Sequence, residues 1–155
     1  MDSILVTGGA GFIGSHTVVE LFEAGYKPII VDDFSNSQKG VILKLEKLTG
    51  RVITVYELDC TDKNGLREVF LQEKISGIIH FAASKAVGES VDKPLKYYRN
   101  NLDSTITLLE LMQECNVPGL VFSSSCTVYG EPNSLPVDET AQIKKAESPY
   151  GNTKQ

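Results

Sequence analysis

Tyr150 and Lys154 stand four residues apart near the carboxyl end of the chain. On a helix that spacing puts both side chains on one face. A tyrosine phenol has an ordinary pKa of about 10 and is a poor base at neutral pH. A nearby ammonium favours the phenolate and lowers that value. A phenol tuned in this way can take a proton from an alcohol, because a base works best with its pKa near the operating pH. Taken alone, the pair reads more readily as a turn of surface helix with a stray lysine.

A second constellation changes that balance. Ile4-Leu5-Val6-Thr7 is a short apolar run that ends in Gly8-Gly9-Ala10-Gly11-Phe12-Ile13-Gly14, and an amphipathic segment follows at once. Strand, tight phosphate-binding loop and helix have this form in sequence. Gly8 allows the sharp turn out of the strand, Gly11 leaves room for a pyrophosphate against bare backbone, and Gly14 lets the helix pack close. The unpaired N–H groups at the helix start then face an anion. Glycines also cluster in ordinary turns, but here Asp32 closes the next apolar run, where a ribose-binding acid is expected. Asp32 and the following Asp33 favour NAD over NADP, since a 2′-phosphate there would meet carboxylates. Beside a nicotinamide, Tyr150 and Lys154 become a device for removing the proton of an alcohol as hydride leaves its carbon.

The elements that must position these groups alternate. Residues 3–7 read as a strand and 12–24 as a helix, with Ile13, Thr17, Leu21 and Ala24 on one face and Gly25 as its stop. Strand 28–32, helix 39–48 ending at Gly50, and strand 52–58 come next. Thr61 or Asp62 caps a helix carrying Leu66, Val69 and Phe70. Strand 77–81 is followed by a loop over 82–91. A long helix over 94–115 carries Leu95, Tyr98, Leu102, Thr105, Leu109 and Met112 as its expected apolar stripe. Strand 119–122 leads into Ser123-Ser124-Ser125, then a polar loop over 130–147, then the start of a helix at Ser148. Strands alternating with helices imply parallel pairing and right-handed crossovers. The expected fold is α/β: a doubly wound parallel sheet, Rossmann-like, in strand order 3-2-1-4-5, forming one domain over residues 1–155. Ligands of such sheets bind at the carboxyl ends of the strands, between strands 1 and 4. The glycine loop, Asp32, Asp59, Phe81 and the serine triplet all fall at those ends.

Bulk properties exclude several classes. The 155 residues are 41% hydrophobic and 23% charged, with formal net charge −5. No basic tract suggests nucleic acid, and no apolar run approaches the roughly 20 residues of a membrane span. No leader is expected, because Met1-Asp2-Ser3 runs straight into the first strand. Cys60, Cys115 and Cys126 form no Cys-x-x-Cys pair and fit a reducing cytoplasm. His16 and His80 read as packed or hydrogen-bonded residues, with no metal-ligand spacing. Asp138 and Glu139 read as a solvated loop.

The chain resembles the extended short-chain dehydrogenase/reductase superfamily and, within it, the UDP-glucose 4-epimerase (UDP-galactose 4-epimerase) family. The resemblance rests on Val6 to Thr17, Ile79-His80-Phe81-Ala82-Ala83, Lys85-Ala86-Val87-Gly88-Glu89-Ser90, Ser123 to Gly130, and Ser148-Pro149-Tyr150-Gly151-Asn152-Thr153-Lys154. It implies NAD as cofactor and a UDP-sugar as substrate, oxidised at C4, turned over as the 4-keto sugar and reduced again. Phe12 and Ile13 would bind the pyrophosphate through backbone N–H groups, and Asp32 the adenosine ribose, with Asn36 and Ser37 close by. Asp59 and Cys60 would flank the adenine. Phe81, Ala82, Ala83 and Lys85 would line the nicotinamide side, and Asn100, taken as buried, would face the same pocket. Ser125 would hydrogen-bond the sugar 4-oxygen, Tyr150 would be the base, and Lys154 would bind the nicotinamide ribose. Lys85 also counts among the expected substrate contacts.

The family continues for about as many residues again, with later strands and a sugar-nucleotide domain, so the chain matches its amino-terminal portion. Three further expectations follow. Residues 148–155, about one turn of an isolated helix, should be loosely placed. The long helix should expose an apolar face including Ile106 and Leu108 and promote self-association, as in the family's homodimers. Cys126 should be a small packing residue. Two alternatives stay open. One is a sugar-nucleotide 4,6-dehydratase, which needs an Asp-Glu pair where this chain has Cys126 and Thr127. The other is a non-catalytic NAD-binding module.

Overall fold

The computed structural model describes residues 1–155. The chain folds as two compact units, one of Met1–Ala82 with Ser104–Phe122 and one of Ala83–Asp103 with Ser123–Gln155. The first contains β1 (Ser3–Thr7), α1 (Phe12–Glu23), β2 (Lys27–Asp32), α2 (Gly40–Thr49), β3 (Thr54–Glu57), α3 (Lys63–Glu73), β4 (Ile75–His80) and β5 (Leu120–Phe122). The second contains α4 (Val87–Asp92), a 3-10 turn (Cys126–Tyr129) and α6 (Pro149–Asn152). Helix α5 (Pro94–Cys115) contributes its first part to the second unit and its remainder to the first.

The first unit is a five-stranded sheet in the order β3-β2-β1-β4-β5. Every pairing is parallel, and Thr7 lies opposite both Val31 and His80. Parallel strands need crossover helices, so both sheet faces are covered and the strands are apolar on both sides. Alternation along the strands sorts the core into two clusters. Leu5, Ile29, Val31 and Ile78 face Leu66, Val69, Phe70, Leu108 and Leu111 of α3 and α5. Val6 and Ile30 face Val18 and Phe22 of α1 and Leu45 of α2. Local chemistry ends the helices where the sequence marks them. Gly25 has φ +85° and Gly50 +65°, the left-handed region that glycine enters without strain. Asp62 caps α3, accepting the Gly65 N–H at 3.1 Å.

Two helices turn a different face inward from the one expected. In α1 the buried residues are Gly14, Val18 and Phe22, while Ile13 is 61% exposed. Gly14 decides this, since only its face can meet the loop below. In α5 three residues of the expected stripe, Leu95, Leu102 and Leu109, are exposed, as is Ile106, while Met112 packs against the core. Tyr97 and Asn101 are buried in the second unit, and Ser104, Leu108 and Leu111 in the first. These fall at spacings of four and three, the period of a helix face, but polar Asn101 and Ser104 break its apolar signature. Leu108 is thus a core residue, not an exposed one. The segment expected as a loop over 82–91 contains α4.

The faces of α5 differ in what truncation should cost. Leu108 is 0% and Leu109 48% exposed. Leu108→Ala should lower stability in urea by about 2–5 kcal/mol, and Leu109→Ala by no more than about 0.5 kcal/mol. Equal losses would refute the assignment of the buried face.

Candidate functional site

In the first unit the site is built from the ends of β1, β2 and β4. Gly8 leaves β1 with φ +68° and donates its N–H to the Val31 carbonyl at 2.8 Å. Gly11 closes the turn by donating to the Gly8 carbonyl at 3.0 Å. A Cβ on Gly14 would overlap that carbonyl and stand 2.8 Å from Gly9 Cα. Helix α1 is therefore pressed onto the loop, and its first-turn N–H groups, those of Phe12, Ile13 and Gly14, have no acceptor within the helix. The Phe12 side chain is 79% exposed beside them.

Asp32 ties this loop to β2. It is 7% exposed. Its Oδ2 accepts the Ala10 N–H at 3.0 Å, and its Oδ1 accepts the Phe34 N–H at 3.0 Å and the Ser37 hydroxyl at 2.8 Å. A carboxylate offers about four acceptor positions, so one on Oδ2 is left for a donor from outside the chain. Asn36 is exposed next to Ser37. Asp59 is also exposed, and its Oδ1 accepts from the Thr61 N–H and hydroxyl, both at 2.8 Å. Cys60 is buried in the sheet core, where burial first, then Asp59, Asp33 and Asp32, pushes its thiol up to about 12. Phe81 and Ala82 are half-buried at the end of β4.

The second unit contains Ser125, Tyr150 and Lys154. Ser125 is extended and caps the 3-10 turn, accepting the Thr127 N–H at 3.3 Å and the Thr127 hydroxyl at 3.0 Å. Its own proton remains available to donate. Ser148 caps α6, accepting the Gly151 N–H at 3.1 Å. Lys154 Nζ donates to the Ser123 carbonyl at 2.9 Å, and the Ser124 hydroxyl donates to the Lys154 carbonyl at 3.1 Å. Burial of Lys154, 7% exposed, lowers its pKa from 10.5 to about 8. The half-buried Tyr150 ring stands edge-on to Tyr97, centroids 6.5 Å apart and planes at 82°.

The segment over 148–155 is thus better anchored than its length suggests. Asn152 donates to the Tyr98 hydroxyl at 2.9 Å, and Gln155 to the Val128 carbonyl at 2.8 Å. Tertiary bonds supply what an isolated turn lacks. Asn100 also departs from expectation: it is half-buried and donates to its neighbour Asn101 at 3.0 Å. Asn101 is the buried amide, and the sequence reading missed it. It accepts the Ser84 N–H at 2.9 Å and donates to the Ser84 carbonyl at 3.0 Å and to Thr153 Oγ1 at 2.9 Å. Its place in the four-and-three spacing with Tyr97 and Ser104 was the available signal.

Ala83 is half-buried and Lys85 exposed on the loop that Asn101 holds. Glu89 follows in α4, accepting from Lys96 at 2.9 Å and from the Tyr97 hydroxyl at 2.9 Å. Lys96 first, then Tyr97, brings its carboxyl down to about 2. Cys126 is exposed, so it is not a packing residue. It lines an open groove of about 400 Å³ with Ser124, Ser125, Tyr129, Asp138 and Glu139.

A family model described as GDP-mannose 4,6 dehydratase matches residues 5–155. The chain belongs to this family. Its curated relatives include a UDP-glucose 4-epimerase of Dictyostelium discoideum, 52% identical over 153 residues, and one of Homo sapiens, 49% identical over 159. Each match takes in 99% of this chain, but 44% and 46% of the relative, so the chain spans less than half their length. Among solved structures it is similar to a UDP-glucose 4-epimerase of Bifidobacterium longum in complex with NAD+ and UDP. That match has TM-score 0.95 and 46% identity, over 98% of this chain and 45% of that one. An epimerase of Brucella ovis in complex with NAD gives TM-score 0.89 at 40% identity, over 99% and 45% of the two chains.

The lowered pKa of Lys154 has a stability consequence. Between about 8 and 10.5 the unfolded chain binds the proton that the folded chain has lost, so stability rises with pH across that window. Lys154→Met should flatten the rise in urea midpoint between pH 8 and pH 10. An undiminished slope in the variant would assign the rise to other groups.

Proposed function

We propose that the first unit binds NAD, and that the complete protein interconverts UDP-glucose and UDP-galactose. The observation that carries the reading is Asp32. Its carboxylate is held by Ala10 of the glycine loop and keeps an acceptor position open at the end of β2, which suits ribose hydroxyls. The Gly8, Gly11 and Gly14 turn is a cradle that side chains would fill, which suits a pyrophosphate. Phe12 and Ile13 would donate their N–H groups to it, with Asn36 and Ser37 beside the ribose and Asp59 and Cys60 beside the adenine. Phe81, Ala82, Ala83, Lys85 and Asn100 are assigned to the nicotinamide side.

When bound, NAD would supply a reversible hydride acceptor for the sugar C4. The second unit supplies the proton chemistry. The Tyr150 phenolate takes the O4 proton as the C4–H bond breaks, and gives it back when hydride returns to the opposite face of the 4-keto sugar. Ser125, its lone pairs taken by Thr127, donates its hydroxyl to the 4-oxygen. Lys154 would hold the nicotinamide ribose, and Lys85 would add a substrate contact. A 4,6-dehydratase reading finds no carboxylate at Cys126 or Thr127.

No helix is long and apolar enough to cross a membrane. The free cysteines support a reducing compartment, the cytoplasm. The exposed Leu95, Leu102, Ile106 and Leu109 support a homodimer through α5.

Calorimetric titration tests the cofactor assignment directly. NAD should bind at least tenfold more tightly than NADP, and Asp32→Ala should weaken NAD by about tenfold or more. Equal affinity for both nucleotides would overturn the role of Asp32. In the complete protein, Tyr150→Phe should slow conversion of UDP-galactose by about a hundredfold or more without loss of NAD. Light scattering should show association that Leu102→Glu abolishes; a monomer before substitution would remove the dimer proposal.

A further inference from the structure

The chemistry proposed above leaves one buried polar cluster of the first unit unused. Thr7 and His80 face each other at the ends of β1 and β4 and are 0% and 1% exposed. The Phe81 N–H donates to the Thr7 carbonyl at 3.0 Å, extending the backbone ladder. One residue later β1 has turned away, because Gly8 carries φ +68°. The Ala82 N–H is met instead by a side chain, Thr7 Oγ1 at 3.4 Å. That oxygen lies 2.6 Å from His80 Nδ1, and His80 Nε2 lies 3.3 Å from Thr105 Oγ1.

Contact length and proton count together set the direction of each bond. A hydroxyl has one proton and two lone pairs. Thr7 Oγ1 accepts from the Ala82 N–H, and its 2.6 Å contact with His80 Nδ1 is shorter than N–H···O bonds run, which fits the hydroxyl as the donor to Nδ1. Nδ1 then carries no proton of its own, and the Nε2–H faces the Thr105 oxygen.

We propose that His80 is a positioning residue of the cofactor rim: a neutral imidazole in the Nε2–H form that orients the Thr7 hydroxyl to receive Ala82. This relay carries the β1–β4 ladder on through side chains where the β1 backbone departs for the glycine loop. It fixes Ala82 so close to Gly8 that a Cβ there would stand 2.8 Å from the Ala82 nitrogen. The role rests on the NAD reading, in which Ala82 belongs to the nicotinamide side.

Long-range proton–nitrogen NMR of the histidine-labelled chain at neutral pH reads the tautomer, and amide exchange reads the latch without any nucleotide. The expected results are an unprotonated Nδ1 on His80 and exchange of the Ala82 amide at least tenfold faster in Thr7→Val, beyond any change at amides elsewhere in β4. Thr7→Ser, which restores the hydroxyl, and His80→Asn, which keeps an acceptor near the Nδ1 position, should return exchange to within about threefold of the original chain. NAD should bind about tenfold more weakly to Thr7→Val and to His80→Leu, with Thr7→Ser and His80→Asn rescuing it. A protonated Nδ1, or exchange at Ala82 unmoved by Thr7→Val, overturns the relay. A chain that shows the relay and binds no NAD overturns the cofactor reading and, with it, the positioning role.

Discussion

The Gly8 carbonyl oxygen is the point on which the first unit turns. It receives the Gly11 N–H and occupies the space that a side chain on Gly14 would need. That contact sets where α1 begins and which of its faces lies inward. With Gly14 pressed down, Val18 and Phe22 must follow it into the core with Val6 and Ile30. The same turn brings the Ala10 N–H within 3.0 Å of Asp32, so strand, loop and carboxylate are set as one piece. A larger residue at position 14 would therefore disturb the core and the Asp32 carboxylate together.

The second unit is held by a different kind of interaction. Its α6 covers only Pro149–Asn152 and lacks the length to persist alone. What holds it is a set of polar contacts: Lys154 to the serine strand end, Asn152 to Tyr98, and Gln155 to Val128. Lys154, assigned above to the proposed site, is thus also one of the groups that hold the segment. Tyr150 follows a proline and a capping serine, and its ring meets Tyr97, which Glu89 anchors in turn.

The strands, their order and the carboxyl-end cluster were legible in the residues because each rests on a short-range rule. Apolar runs that stop at glycine or aspartate say where strands end, and alternation with helices dictates parallel pairing. Gly8, Asp32 and Asp62 each do locally what their types suggest. The errors came where burial is decided at a distance. Leu95, Leu102 and Leu109 lie on the outer side of α5, and Asn101 lies inside because an amide there can serve both the N–H and the carbonyl of Ser84. No period in the sequence reports that pairing. The pairing of Asn101 with Thr153 is as hidden, and so the anchoring of the last turn was not foreseen.

Asn101 also bears on how the chain assembles. Its one side chain spans 17 residues back to Ser84 and 52 forward to Thr153. Contacts of such separation carry a loop-closure cost before they return any stability, and folds rich in them form slowly. On a ribosome, the strand–helix alternation of residues 1–82 can pair as it emerges. The second unit must wait until Thr153 has left the exit tunnel, leaving the Ser84 backbone and the Asn101 amide solvated in the interval. The second unit thus closes last, after β5 at Leu120–Phe122 has been made for the first.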